Sequence, residues 1–169
     1  RIPGAPAGGA EVIEVDAPIS PMLYGFFRAR LLLPGHLRGF DPLQRQMMIE
    51  HEMTHLRRRD LQWLAAGLLL QTLFWFNPFM RLLRGRLSWA QELGCDREVL
   101  RGRPPAQRKA YAAALLAQLK MQGTGMETAL AFGSAGARQL AARIGFIRAP
   151  SAAGRSLWLR LAALAGLAG

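Results

Sequence analysis

The sequence predicts a mostly helical α+β domain: a short N-terminal β-hairpin or sheet, then helices, two of which pack together. Three observations predict it. Two strand-like segments bounded by proline and glycine occur before residue 35. Beyond them, Asp41-Pro42 and Asn77-Pro78 are helix starts that precede long segments without internal proline. Two short motifs, His51-Glu52-Met53-Thr54-His55 (HExxH) and Glu92-Leu93-Gly94-Cys95-Asp96 (ExxxD), each need a helix to bring their residues onto one face.

Composition narrows the class. A chain of 169 residues is long enough for one domain with a core. It is 51% hydrophobic with mean hydropathy +0.09, high for a soluble protein and low for a polytopic one. The net charge of +11 is carried almost wholly by arginine, which suits nucleic acid or an anionic membrane surface. The arginines punctuate apolar runs, as in Leu82-Leu83-Arg84-Gly85-Arg86-Leu87, and that favours the membrane surface; no direct nucleic-acid partner is expected. The single cysteine, Cys95, excludes an internal disulfide and fits a reducing compartment.

In chain order, residues 1–10 are rich in Gly, Pro and Ala and read as a linker. Glu11 to Val15 is a short strand. A turn at Ser20-Pro21 leads to a second strand, Phe26 to Leu33, stopped by Pro34. In zinc peptidases an exposed strand edge near the metal commonly receives the substrate backbone, and Arg30, Leu31, Leu32 and Leu33 are the candidate edge here, with a purely structural hairpin as the alternative. The first helix has Asp41 at its N-cap, Pro42 at N1 and Gln44 at N3 in a capping-box position, and should run to about Asp60. Leu61 to Met80 carries no charge and is by hydropathy a transmembrane candidate. A full span would put Glu92 across the membrane from His51 and His55, and Arg81, Arg84 and Arg86 block a second crossing. The segment is therefore expected to be buried, re-entrant or interfacial, and Leu61 to Phe76 to pack between the two motif helices or dip into one leaflet, with both ends on one side. The next helix opens at Asn77-Pro78 and ends near Gly102 to Pro105. A fourth, Ala106 to Gln122, shows a stripe at Tyr111, Leu115 and Leu119 that reads as plain core, and Gly123 ends it. Met126 to Gly136 reads as loop or short strand, and Ala137 to Ile147 as a short basic helix. The domain thus extends over residues 11–150. Residues 151–169 read as a linker and the start of a transmembrane helix cut off at Gly169, so the chain reads as a piece of a longer membrane protein.

The motifs carry the chemistry. Residues four apart share a helix face, so His51 and His55 can point both imidazoles at one metal ion. Glu52 lies one step round, where a carboxylate can act as catalytic base without being a ligand. Neutral imidazoles plus one carboxylate with an open fourth position is the usual catalytic zinc arrangement, and Glu92 is the natural third ligand. Asp96, one turn beyond, is placed to orient a ligand histidine. Only three histidines occur, and two are in the motif. Cys95 is a rival ligand, although a lone thiol beside a complete set more often packs as a small apolar residue. The fold expected is a zincin-like metallopeptidase domain binding one Zn2+. The oxyanion-stabilising group is not marked by any pattern; Arg97, Tyr111 and Arg143 are candidates.

Ser20-Pro21 with Gly25-Phe26-Phe27-Arg28, then Leu32-Leu33-Pro34, then HEMTH followed by Arg58-Arg59-Asp60, resembles the BlaR/MecR-type membrane metallopeptidases. Phe76-Asn77-Pro78, Gln91 to Asp96 and Ala131-Phe132-Gly133 extend the resemblance, which covers roughly residues 11 to 169 in order. It implies a gluzincin-like fold on the cytoplasmic face of the cell inner membrane. Carried over by position, His51, His55 and Glu92 are the implied zinc ligands, Glu52 the catalytic base, and Asp60 joins Asp96 behind the ligands. Known members relay a beta-lactam signal, through cleavage events, to relief of a transcriptional repressor. The implied partners are a protein or peptide substrate (a repressor or the chain itself) and the membrane, with a homodimer left open. No antibiotic-binding sensor is present in these residues. Two rivals stand beside this reading. A housekeeping or prenyl-protein-processing membrane protease would carry several full spans around the site. A non-enzymatic basic scaffold with a relic site would be expected to have lost Glu52.

Overall fold

A computed structural model of the chain describes residues 10–17, 19–121 and 135–148. The readings for residues 151–169, for Gly123 and for most of 1–10 and of Met126 to Gly136 lie outside them.

Three strands form one sheet: β1 (Glu11–Val15), β2 (Met22–Tyr24) and β3 (Arg30–Pro34), in the order β1-β3-β2. β3 runs parallel to β1, pairing Glu11 with Arg30 through to Val15 with Pro34, and antiparallel to β2, pairing Met22 with Leu32 and Tyr24 with Arg30. The second strand therefore starts at Arg30, not Phe26. Residues 26–28 are the bend of a β2–β3 hairpin, and Gly25 makes that bend with φ +97°, where any Cβ would collide with the Arg28 carbonyl. This placement corrects the substrate-edge reading. Arg30, Leu31, Leu32 and Leu33 form the central strand, hydrogen-bonded on both sides, with Leu31 fully buried; β1 and β2 hold the two edges.

A 3-10 turn (Gly35–Gly39) leads into α1 (Pro42–Arg58). Asp41 caps it by accepting from the Leu43 N–H at 2.9 Å, with Pro42 at N1. Gln44 takes no part in a capping box, because its amide donates instead to the Ala110 carbonyl on a distant helix at 3.1 Å. The helix stops short of Asp60. Arg59 adopts a left-handed conformation (φ 57°) and ends it, so Asp60 becomes the first residue of α2 (Asp60–Leu73). Asn77 caps α3 (Pro78–Val99) through the Phe79 N–H at 2.9 Å. α4 (Pro105–Met121) and α5 (Ala135–Arg148) complete the described helices.

α1 is the middle layer. Met48 and Met53 pack on one side with Leu31, Leu33 and Leu37 of the sheet region. On the other side Met47 packs with Val99, Leu100, Tyr111 and Ile147 from α3, its C-cap, α4 and α5. Each such side chain, fully removed from water, contributes about 1.5–3 kcal/mol. α1 and α3 touch directly, so α2 does not lie between them; it flanks α3 as one arm of an α2–α3 hairpin. The two ends of the apolar segment are correspondingly apart: α2 starts beside the HExxH helix and ends at the hairpin apex, and α3 brings the chain back. Among the described residues no helix is long and apolar enough to cross a membrane.

Candidate metal centre

α1 places His51 and His55 one turn apart, with ring centroids 4.9 Å apart and their Nε2 atoms 3.2 Å apart. α3, packed against α1, sets Glu92 opposite them. Its Oε2 lies 3.5 Å from His51 Nε2 and its Oε1 3.6 Å from His55 Nε2. Bonds of about 2.0–2.1 Å at tetrahedral angles put neighbouring ligand atoms roughly 3.3–3.4 Å apart. Each carboxylate oxygen thus stands about one tetrahedral edge from one imidazole nitrogen, the three groups offer ligand atoms within 4.8 Å of one another, and they line a cleft of about 450 Å³.

The opposite ring nitrogens are tied down. Asp60 Oδ2 lies 2.7 Å from His55 Nδ1, a contact made possible because the Arg59 turn folds Asp60 back under the helix it follows. Asp96 Oδ1 lies 3.2 Å from His51 Nδ1, and the Tyr111 hydroxyl 2.9 Å from the same nitrogen. Tyr111 donates to Asp96 at 2.8 Å, so its oxygen accepts from His51 Nδ1–H. Both Nε2 atoms then face the cleft. Tyr111, which the sequence presents as plain core, is fully buried and is part of this network.

Arg143 of α5 closes the rear of the site. It bonds Asp96 with Nε at 2.7 Å and Nη2 at 2.8 Å, and reaches Glu92 Oε2 with Nη1 at 2.6 Å. Burial raises the Glu92 and Asp96 carboxyls, but His51 and Arg143 outweigh it and hold both below their ordinary values. Burial also depresses His51, yet hydrogen bonds to Asp96 and Glu92 and the Glu52 charge lift it to about 9. Burial and the neighbouring His51 push His55 down. The histidine pair therefore carries one positive charge, on His51, rather than two.

Glu52 behaves differently. Among the described residues it forms no ion pair, and burial lifts its carboxyl to about 7, against the pull of the nearby His51. The nearby Leu23 backbone on the edge strand β2 lowers it slightly. A carboxylate poised near neutral pH beside the three donors has the proton affinity that general base catalysis requires.

Cys95 faces the wrong side to join this donor set. Its Sγ lies 3.4 Å from His55 Nδ1, the nitrogen held by Asp60, and donates to Asp60 Oδ2 at 3.6 Å. A second grouping of His55, Asp60 and Cys95 is thereby close enough to hold a metal, and burial pushes its thiol up to about 12. Of the oxyanion candidates, Tyr111 and Arg143 line the cleft; Arg97 is exposed. The third histidine, His36, pairs with Gln118 at 3.2 Å. No pattern in the sequence marks Arg143, whose partners lie 47 residues away from it or more.

Replacing Arg143 isolates its effect. Arg143→Gln leaves Glu92 and Asp96 without their shared cation and is expected to weaken zinc affinity roughly 10- to 100-fold. Arg143→Lys, which keeps the charge and loses the fork, should recover part of it. Chelator-competition titration checks this, and unchanged affinity in Arg143→Gln would show that α5 does not position the donors.

Comparison with known proteins agrees with the geometry. The family model described as BlaR1 peptidase M56 matches residues 11–147. The regulatory protein BlaR1 of Bacillus licheniformis is 29% identical over 93 residues, which is 54% of this chain and 16% of that protein. The methicillin resistance mecR1 proteins of Staphylococcus aureus and Staphylococcus epidermidis are each 26% identical over 83 residues, 48% of this chain and 14% of theirs. The matched stretch is therefore about a sixth or less of each relative. No solved structure matches the chain. With the match running from the first strand to the last described helix, the chain belongs to the BlaR1 peptidase M56 family.

Proposed function

We propose that this chain is the catalytic part of a membrane-associated, zinc-dependent endopeptidase that acts in signal transduction, by regulated cleavage that relieves a transcriptional repressor in an antibiotic response. One observation carries the chemistry. Three donors from two helices stand 3.2–3.6 Å apart, with the far nitrogen of each histidine held by a buried carboxylate. The signalling part rests on the relatives, one a regulatory protein and the others methicillin resistance proteins. Its substrate would be a protein, the repressor or the chain itself, reached from the cytoplasmic face of the inner membrane.

His51, His55 and Glu92 would hold the zinc ion, which when bound supplies Lewis-acid polarisation of the scissile carbonyl and makes water more acidic. Asp60 and Asp96 fix the tautomer and orientation of the histidines. Glu52 takes the proton from the attacking water and passes it to the leaving amine. The edge strand β2, whose Leu23 backbone lies near Glu52, is suited to receive an extended substrate backbone.

Metal analysis tests the proposal. One zinc per chain is expected in purified protein, with weaker binding in Glu92→Ala. An unaltered zinc affinity in that variant would remove Glu92 from the site.

A further inference from the structure

The α2–α3 hairpin projects away from the metal centre and ends in an apex that nothing in the described fold covers. Trp75 is 79% exposed, Phe79 70% and Phe76 68%. An exposed apolar cluster of this size is an interaction surface. We propose that the apex dips into one leaflet of an anionic bilayer, carrying Phe74, Trp75, Phe76 and Phe79 below the headgroups while Arg81, Arg84 and Arg86 meet lipid phosphate. This rests on the membrane-associated reading above and specifies which element makes the contact.

Charge identifies the occupant. From Leu61 to Gln91 the hairpin has no Asp or Glu, and its charged residues are those three arginines, all exposed. Such a surface complements anionic lipid. A second copy docked apex to apex would bring like charges together with no acid to pair them.

Depth agrees with charge. At about 1.5 Å rise per residue, Arg81, Arg84 and Arg86 lie roughly 4.5, 9 and 12 Å along α3 from Pro78. Interfacial elements bury their apolar side about 5–10 Å into the headgroup and acyl boundary. The arginines thus fall at phosphate level when the aromatics are immersed, with Arg81 extending its stem upward to reach it. Arg84 is braced by its hydrogen bond to Gln71 across the hairpin at 2.6 Å.

Part of the apex backbone is already paired within the hairpin. The N–H groups of Phe74, Asn77 and Met80 bond to Leu70, Phe74 and Asn77 carbonyls, and that of Phe79 to the Asn77 side chain. Thr72 bonds its hydroxyl to the Leu68 carbonyl at 2.9 Å. Immersion leaves none of these donors unsatisfied. Glu92 lies about 21 Å along α3 from Pro78, so a standing hairpin holds the metal centre above the headgroups, within reach of a substrate segment that emerges from the membrane.

The test uses an environment-sensitive NBD label on the whole chain, placed at Phe76→Cys or at Arg101→Cys, an exposed residue beyond the far end of α3. Cys95 is buried and does not compete for label. With vesicles of phosphatidylcholine containing phosphatidylglycerol, the label at 76 should brighten, shift to the blue and be quenched by spin-labelled acyl chains, while that at 101 should not change. Replacing the three arginines with Gln should weaken vesicle affinity on the order of 100-fold, with circular dichroism confirming the fold. A chain that binds vesicles while position 76 stays wet would overturn this inference and leave the membrane-associated reading intact. Failure to bind any vesicle would overturn both. Burial of the label without lipid, increasing with protein concentration, would assign the apex to a second copy and also overturn it. Peptidase activity enters none of these readouts.

Discussion

Glu52→Gln is expected to retain zinc and lose peptide-bond cleavage by roughly 10²–10⁴-fold, the range that a positioned general base contributes. The substitution keeps the shape of the side chain and removes its capacity to accept a proton. The three donors remain at their spacing because none of them is held by Glu52; Asp60, Asp96, Tyr111 and Arg143 hold them from behind. Two assays on one preparation decide the matter: bound zinc by metal analysis, and cleavage of fluorescein-labelled casein together with self-cleavage. Wild-type cleavage by the variant would mean that another group takes the proton. Loss of zinc along with activity would mean that Glu52 belongs to the donor set.

Glu52 also shows what the sequence can specify. Its adjacency to His51 and the four-residue interval to His55 are local facts, translated directly into geometry by the helical period. The caps Asp41-Pro42 and Asn77-Pro78 are local in the same way, and both helices start where those residues place them. The elements that escaped sequence reading depend on distant partners. β2 is three residues long after Pro21, too short to show alternation, and it exists as a strand because β3 pairs with it. β3 looked like an edge because sheet order is set by β1 crossing to its other side in parallel, which no local pattern records. Gln44 carries a capping-box spacing, yet α4 offers its amide a buried carbonyl instead. Tyr111 falls on an apolar stripe, and only the folded chain reveals that its hydroxyl meets His51 and Asp96.

The apolar segment after the first motif illustrates a different limit. Hydropathy reports that residues 61–80 avoid water, and the requirement that Glu92 return to His51 and His55 argues against a single crossing. Neither argument distinguishes a segment packed between helices from one arm of a hairpin. What decides is that α1 and α3 pack on each other directly, with no room for a third helix between them. The site needs that direct contact, since the donor atoms of the two helices stand within 4.8 Å of one another.

Removing both imidazoles is the most severe change to the metal centre. His51→Ala with His55→Ala leaves Glu92 as the remaining member of the three-donor set, and zinc occupancy is expected to fall to background at micromolar free metal. The fold should survive, because the residues behind the histidines keep other partners. Asp96 retains two hydrogen bonds from Arg143 and one from Tyr111. Asp60 retains Arg58 at 3.6 Å and the Cys95 thiol. The layers of α1 on either side of the histidines rest on Met47, Met48 and Met53, which the substitutions leave in place. Metal analysis should therefore read zero while circular dichroism and the unfolding transition stay close to wild type, allowing for the cavities that two lost rings leave. Wild-type zinc content in the double variant would transfer the metal to another site and end the assignment of this one. A protein that loses its fold together with its metal would instead show that the imidazoles act as core side chains, and the single substitutions His51→Gln and His55→Gln, which keep most of the buried volume, would then separate the two roles.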